Sequence, residues 1–208
     1  MSNTRYTTGL DLGQASEYSA LVVDVQTARG DPRSLQSPPI LHHQILHLKR
    51  WLLGTAYTEI VRDVRETYTK MPLVNTALLI DRTGVGRGVY DMFRESGIHA
   101  TVGGWSITAG RNVGDGTVPK RDLVAAVQVA LGERRLEIAP TLPLADTLAK
   151  ELELFRVRIT DDNNDIFSSI RKCDHDDLVF ALAIAVWSGE RQGAPTPGQR
   201  PYFIKLHG

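Results

Sequence analysis

The stretch Gly9-Leu10-Asp11-Leu12-Gly13 closes an apolar segment that begins at Tyr6 and sets a carboxylate between two glycines at the end of a strand. Glycine lets the backbone turn there and leaves open space beside the acid. The arrangement returns at Leu78-Leu79-Ile80-Asp81, where a second apolar strand ends on an aspartate and runs into Arg82-Thr83-Gly84-Val85-Gly86-Arg87-Gly88. A third acidic station, Asp174-His175-Asp176-Asp177, opens an almost wholly apolar helix from Leu178. Carboxylates held at strand and helix ends around an apolar core suit hard divalent cations, which need converging oxygens on a rigid support.

Outward from Asp11, residues Tyr6 to Leu12 and Ser19 to Gln26 read as two strands joined by a hairpin-length segment, Gly13 to Tyr18. Ile40 to Leu48 supplies a third, so the chain starts antiparallel. Thr55 is placed to cap a helix running to about Thr69, with Ile60, Val64 and Tyr68 at helical spacing. A strand over Thr76 to Ile80, a helix over Gly84 to Ser96 and a strand over Ile98 to Val102 then form an α/β crossover system. Helices follow over Val118 to Gly132, entered through Pro119, and over Leu144 to Leu154, with Leu136-Glu137-Ile138 as a short edge strand between them. The last helix starts near Asp174, and Gly189 begins a Pro/Gly-rich tail whose Tyr202-Phe203-Ile204 could dock on the body. Residues 1–190 are expected to form one domain and residues 191–208 the tail.

A chain of 208 residues with 42% hydrophobic composition is enough for one substantial core. Its longest apolar run, about ten residues from Leu178, is too short to span a bilayer. The N-terminus lacks the basic and apolar pattern of a secretory signal, and Cys173 is the single cysteine. A reducing interior is expected, without an internal disulfide or a cysteine-rich zinc site. The 24 basic residues balance the 24 acidic ones, so any attraction to nucleic acid must come from local basic patches.

Several simpler readings compete at the acidic stations. The glycines after Asp81 lack both the phosphate-loop arrangement and the GxGxxG of dinucleotide sites. Asp161-Asp162-Asn163-Asn164-Asp165 lacks the glycine and terminal glutamate of an EF-hand. Asp174 and Asp177 stand in capping-box register, so one or both would satisfy helix-end donors. Capping leaves Asp176 and His175 unexplained. Successive helical residues point about 100 degrees apart, so one of Asp176 and Asp177 is expected to bind an ion directly and the other to serve a second ion or the surrounding shell.

Taken in order, Leu10-Asp11-Leu12-Gly13, Leu53-Gly54-Thr55 with Tyr57, Ile80-Asp81 with Thr83-Gly84-Val85-Gly86, Val118-Pro119-Lys120-Arg121-Asp122-Leu123 and His175-Asp176-Asp177-Leu178-Val179 with Ala181-Leu182-Ala183 resemble the C-terminal nuclease domain of tailed-phage terminase large subunits. The resemblance covers roughly residues 5 to 188. It implies an RNase H-like α/β fold, with a central mixed sheet flanked by helices. It also implies metal binding at Asp11, Asp81, Asp176 and Asp177, two Mg²⁺ or Mn²⁺ ions, and endonucleolytic cleavage of duplex DNA during genome packaging in the bacterial host cytoplasm. No Walker A sequence is present. The chain therefore reads equally as an excised domain, a separately encoded nuclease or a remnant; a separate packaging ATPase, a small terminase and a portal are candidate partners, and the isolated domain is expected to be a monomer.

Asp11 is the best candidate for a ligand shared by two ions, and His175 for a residue of the surrounding shell. Arg82, Arg87, Arg111, Lys120 and Arg121 are the candidate phosphate contacts, with Lys120 and Arg121 favoured because they open a helix beside the glycine-rich 110–116 segment. Trp51, Trp105 and Trp187 read as core or interface aromatics. No base-reading motif is visible, so sequence preference is expected to be weak. Two alternatives stay open, a related nuclease such as a junction resolvase and a non-catalytic packaging protein.

Overall fold

The computed structural model describes residues 4–14, 16–30, 39–70, 73, 76–110, 113–114, 116–159, 165–169 and 175–195, with side chains 154–174 outside the description. Strands β1 (Thr4–Asp11), β2 (Ala20–Arg29) and β3 (Ile40–Arg50) form an antiparallel meander. Helix α1 (Tyr57–Lys70) then leads to β4 (Thr76–Asp81), α2 (Gly86–Glu95) and β5 (Ala100–Thr108). The chain continues through β6 (Thr117–Pro119), α3 (Lys120–Gly132), β7 (Leu136–Ile138) and α4 (Ala145–Leu154). A separate hairpin of β8 (Phe155–Ile159) and β9 (Asp165–Ser169) precedes α5 (Asp177–Gln192).

The main sheet has the order β6-β5-β4-β1-β2-β3-β7. β4 lies parallel to β1, β5 to β4, β6 to β5 and β7 to β3, so the sheet is mixed. Side chains alternate between its faces. Leu10, Leu21, Val23, Leu78 and Ile80 join the α1 and α2 residues Ile60, Val64, Val89 and Phe93 on one side. Ala20, Val22, Leu79, Ile45 and Leu48 join residues of α3, α4 and α5 on the other. An antiparallel β1–β3 meander extended by parallel β4 and β5 beside β1, with helices on both faces, matches an RNase H-like arrangement.

Helix α5 is the spine of the second layer, buried continuously from Asp177 to Gly189. It lies against β1 because Gly9 has no side chain: a Cβ there would strike the carbonyl of Ala181 and approach the amide of Ala185. Asp177, Ala181 and Ala185 are four residues apart and share one stripe of the helix, so the stripe that touches β1 also carries Asp177. The neighbouring stripe carries Asp176 and Phe180.

Several boundaries differ from the sequence reading for local reasons. Thr55 does not cap α1; its hydroxyl turns back to donate to the carbonyl of Leu52 at 2.7 Å, and the helix starts at Tyr57. Residues Thr117–Pro119 pair with β5, so α3 starts at Lys120 with Pro119 as its N-cap. Helix α5 starts at Asp177, with Asp176 as an N-cap whose side chain makes no capping bond. The cap comes from another element: Glu151 of α4 accepts the Leu178 amide at 3.1 Å. Asp174, Cys173 and the tail residues Tyr202-Phe203-Ile204 lie outside the described residues, and α5 itself continues to Gln192. Trp51 is buried with its indole nitrogen donating to Asp63, while Trp105 and Trp187 meet edge to face at 5.2 Å.

Candidate metal centre

Strand register brings the first two acidic stations side by side. β1 and β4 are adjacent and parallel, with Leu10 opposite Ile80, so Asp11 and Asp81 terminate neighbouring strands about 4.8 Å apart. Alternation then fixes their direction. Leu10 and Ile80 face α1 and α2, so Asp11 and Asp81 face α5. On the other side of Asp11 the pairings run to Ala20 and from Ala20 to Arg50. One row across the sheet therefore reads Asp81, Asp11, Ala20, Arg50, with the N-terminus of α5 above it.

The four expected carboxylates share this end of the molecule. Burial raises the Asp11 carboxyl well above the usual carboxylate range, and the charges of Asp81, Asp177, Asp176 and Glu17 push it further in that order. Asp81 is raised by burial and held back by hydrogen bonds from Thr83, whose amide donates to Oδ1 at 2.7 Å, by one from Ile107 and by the charge of Lys120. Burial also raises Asp176, opposed mainly by Lys120, and Asp177, opposed mainly by Arg50. The glycine turn after Asp81 serves this geometry, since a Cβ at Gly86 would strike the Asp81 carbonyl.

Two cations stand among the acids. Lys120, at the start of α3, has its ammonium 4.2 Å from the centre of the Phe180 ring. Burial lowers its pKa, while Asp176, Asp11, Asp81 and Glu17 pull the other way. Arg50 donates through Nε to Oδ2 of Asp177 at 2.7 Å and pairs through its other arm with Glu151. Its guanidinium also lies 5.0 Å from the Tyr18 ring centre, and Tyr18 meets His175 edge to face at 4.4 Å. His175 therefore packs on an aromatic ring beside the acids.

The remaining basic candidates are dispersed. Arg82 follows Asp81 by one residue and so leaves the sheet on the opposite face, where its guanidinium lies 4.8 Å from the Tyr90 ring centre. Arg87 is exposed on α2, and Arg121 lies 3.4 Å from Asp122. Arg111 falls outside the described residues. Arg50, Glu151, Tyr18 and Glu17 were not singled out from the sequence, because each reaches the centre from a segment without a motif of its own. Strand pairing is the signal for Arg50: once Asp11 faces Ala20 and Ala20 faces Arg50, its place in the row follows.

The donors fit a hard divalent cation in kind, being carboxylate oxygens crowded by like charge. Among the described residues no three His, Cys, Asp or Glu side chains already stand as a metal cage. Thr83 and Arg50 instead engage oxygens of Asp81 and Asp177.

No protein-family model and no curated protein sequence matches the chain. Solved structures do. The large terminase nuclease of thermophilic phage G20c with bound magnesium superposes with a TM-score of 0.61 at 20% identity, over 89% of this chain and 81% of that one. The large terminase nuclease domain of bacteriophage SPP1 with bound manganese gives 0.54 at 15% identity, over 90% and 86%. The HK97 bacteriophage large terminase gives 0.57 at 13% identity, over 89% of this chain and 39% of that longer one. At these identities the likeness establishes the shared fold.

Proposed function

We propose that the acidic end of the sheet is a two-metal nuclease centre that hydrolyses phosphodiester bonds of duplex DNA during viral genome packaging. The observation that carries this reading is the row on the sheet: Asp11 and Asp81 end adjacent parallel strands on one face, and α5 sets Asp176 and Asp177 above them. The shared fold with phage terminase nucleases, solved with magnesium, manganese, cobalt and zinc, supports it.

Asp11, Asp81, Asp176 and Asp177 would hold Mg²⁺ or Mn²⁺, with Asp11 in the central position. When bound, such ions supply Lewis-acid stabilisation of the phosphate and an activated water. Crowding of negative charge around Asp11 gives the protein a reason to recruit cations. Lys120 stands where it would offset part of that charge and approach a phosphate oxygen. Arg87 and Arg121 offer positive charge farther out for phosphate contacts, and Arg111 is proposed for the same role on sequence grounds alone. The remaining proposed partners are a packaging ATPase, a small terminase and a portal, met in the bacterial host cytoplasm by a protein of phage or prophage origin. No helix among the described residues is long and apolar enough to cross a membrane.

The test is cleavage of linear, supercoiled, single-stranded and branched DNA with Mg²⁺ or Mn²⁺. Internal cleavage of linear and closed circular duplex is expected, abolished by chelator and by Asp11→Asn. Closed circles left intact while free ends are eaten would make it an exonuclease, and exclusive cutting of branched DNA a junction resolvase.

A further inference from the structure

Arg50 has no place in the expected ligand set, yet it ends the row that contains Asp81 and Asp11 and touches the acidic centre directly. Its fork holds two buried carboxylates at once: Nε takes Oδ2 of Asp177, and the other arm takes Glu151. Asp177 is 5% exposed and Glu151 7%. The second oxygen of Glu151 accepts the amide of Leu178, the residue after Asp177. One carboxylate therefore anchors the guanidinium and fixes the first turn of α5. The Tyr18 ring centre lies 5.0 Å from the same guanidinium.

The two aspartates at the head of α5 are treated differently by this arrangement. Asp177 lies on the helix stripe that faces β1, with Ala181 and Ala185 below it against Gly9. Asp176 lies on the stripe of Phe180, toward Lys120. A carboxylate on one short bond can rotate about two side-chain torsions. A planar fork bonded to Oδ2 and tied on its other arm to a buried glutamate removes that freedom.

Resting on the proposed metal-centre reading, we infer that Arg50 is a positioning residue that locks Asp177 through Oδ2 and presents Oδ1 to a metal ion beside Asp11, with Glu151 as the anchor that holds the fork in place. Arg50 touches neither ion nor substrate in this assignment. Its effect is to fix the orientation of a ligand, as outer-shell groups do at metal centres.

The experiment measures Mn²⁺ binding by calorimetry, melting temperature in chelator, and the Mg²⁺ concentration for half-maximal cleavage against the rate at saturation. Wild type, Asp11→Asn, Arg50→Gln, Arg50→Lys and Glu151→Gln are compared. Arg50→Gln is expected to weaken Mn²⁺ binding by about 10-fold or more, within the usual range for lost outer-shell partners. Its half-saturating Mg²⁺ should rise more than its saturated rate falls. Arg50→Lys keeps the charge without the fork and should rescue less than half of that loss. Glu151→Gln keeps an acceptor for the Leu178 amide and should weaken Mn²⁺ binding by a smaller factor in the same direction. If Arg50→Gln proves unfolded, the Lys and Glu151 variants decide alone. Mn²⁺ affinity equal to or above wild type in the folded Arg50 variants would overturn the inference, since Arg50 would then be only a competing cation or a structural ion pair. Wild type that binds no Mn²⁺, with Asp11→Asn indistinguishable from it, would instead overturn the metal-centre reading and the inference with it.

Discussion

Asp81 and Lys120 show how little room the acidic centre leaves for side chains of indifferent role. Asp81 is fixed at a strand end by the Thr83 amide, so Asp81→Asn should fold normally. Cleavage by the variant is expected to fall by about 100-fold or more, because even outer-shell partners of a metal typically cost roughly 10- to 100-fold. Unchanged cleavage by the purified variant would remove Asp81 from the centre. Lys120 was expected from the sequence to contact DNA phosphate and steer a duplex toward the acidic pocket. Its ammonium sits over Phe180 and interacts with Asp176, Asp11, Asp81 and Glu17. Lys120→Gln is therefore expected to lower the melting temperature in chelator, where the acids lose their counter-ion, and to tighten Mn²⁺ binding several-fold while slowing cleavage. A lysine that only steered DNA would leave calorimetric Mn²⁺ affinity where it was.

At the scale of elements, the position of α5 decides whether the third acidic station meets the first two. Gly9 is the point of closest approach, beneath Ala181 and Ala185. Gly9→Ala should cost about 1–3 kcal/mol in urea unfolding, the usual range for overpacking a filled interior. It should also weaken Mn²⁺ binding, because the helix that lifts off β1 carries Asp177 with it. A variant as stable as wild type would show that α5 can shift without strain. The elements themselves were largely legible: apolar runs and helical spacing locate β1 to β4 and α1 to α5 within a few residues, whereas β5, read over Ile98 to Val102, runs on to Thr108, and β8 and β9 were not read as strands. What escaped were elements defined by partners. β6 exists because three residues pair with β5, and the cap of α5 comes from Glu151, 26 residues before the Asp177 that opens the helix. Local sequence held a plausible cap in the Asp174 to Asp177 register; Asp174 lies outside the described residues, and Asp177 accepts a bond from Arg50.

For the whole molecule, a second polar network ties the sheet to α5 far from the acids. His43 is buried between Asp24, 2.7 Å from Nδ1, and Glu190, 3.1 Å from Nε2. Glu190 also pairs with Arg135, and Gln26 links Asp24 to Arg5. Burial alone would favour neutral His43, but bonds to the two carboxylates raise it to about 9. The folded state therefore binds the imidazole proton more tightly than the unfolded chain, whose histidine titrates near ~6.5. Stability from this group is complete below that pH and is lost as pH rises through about 9. Thermal unfolding should show stability declining across this window, by on the order of 3 kcal/mol at most. His43→Gln should flatten the decline, and an unchanged slope would place the titration elsewhere.

The sequence by itself determined most of the elements, the mixed α/β class and the identity of the acidic stations, because apolar periodicity and an aspartate at the end of an apolar run are local features. It also carried, by resemblance, the expectation of an RNase H-like fold. Tertiary structure decided which groups share space. Parallel pairing of β1 with β4 set Asp11 beside Asp81, and the missing side chain of Gly9 let Asp177 descend toward them. Antiparallel pairing through Ala20 brought Arg50 into the same row, and alternation turned Arg82 to the opposite face. A residue's neighbours across a sheet are fixed by register between segments distant in sequence, and register is settled only when both faces of the sheet find their helices.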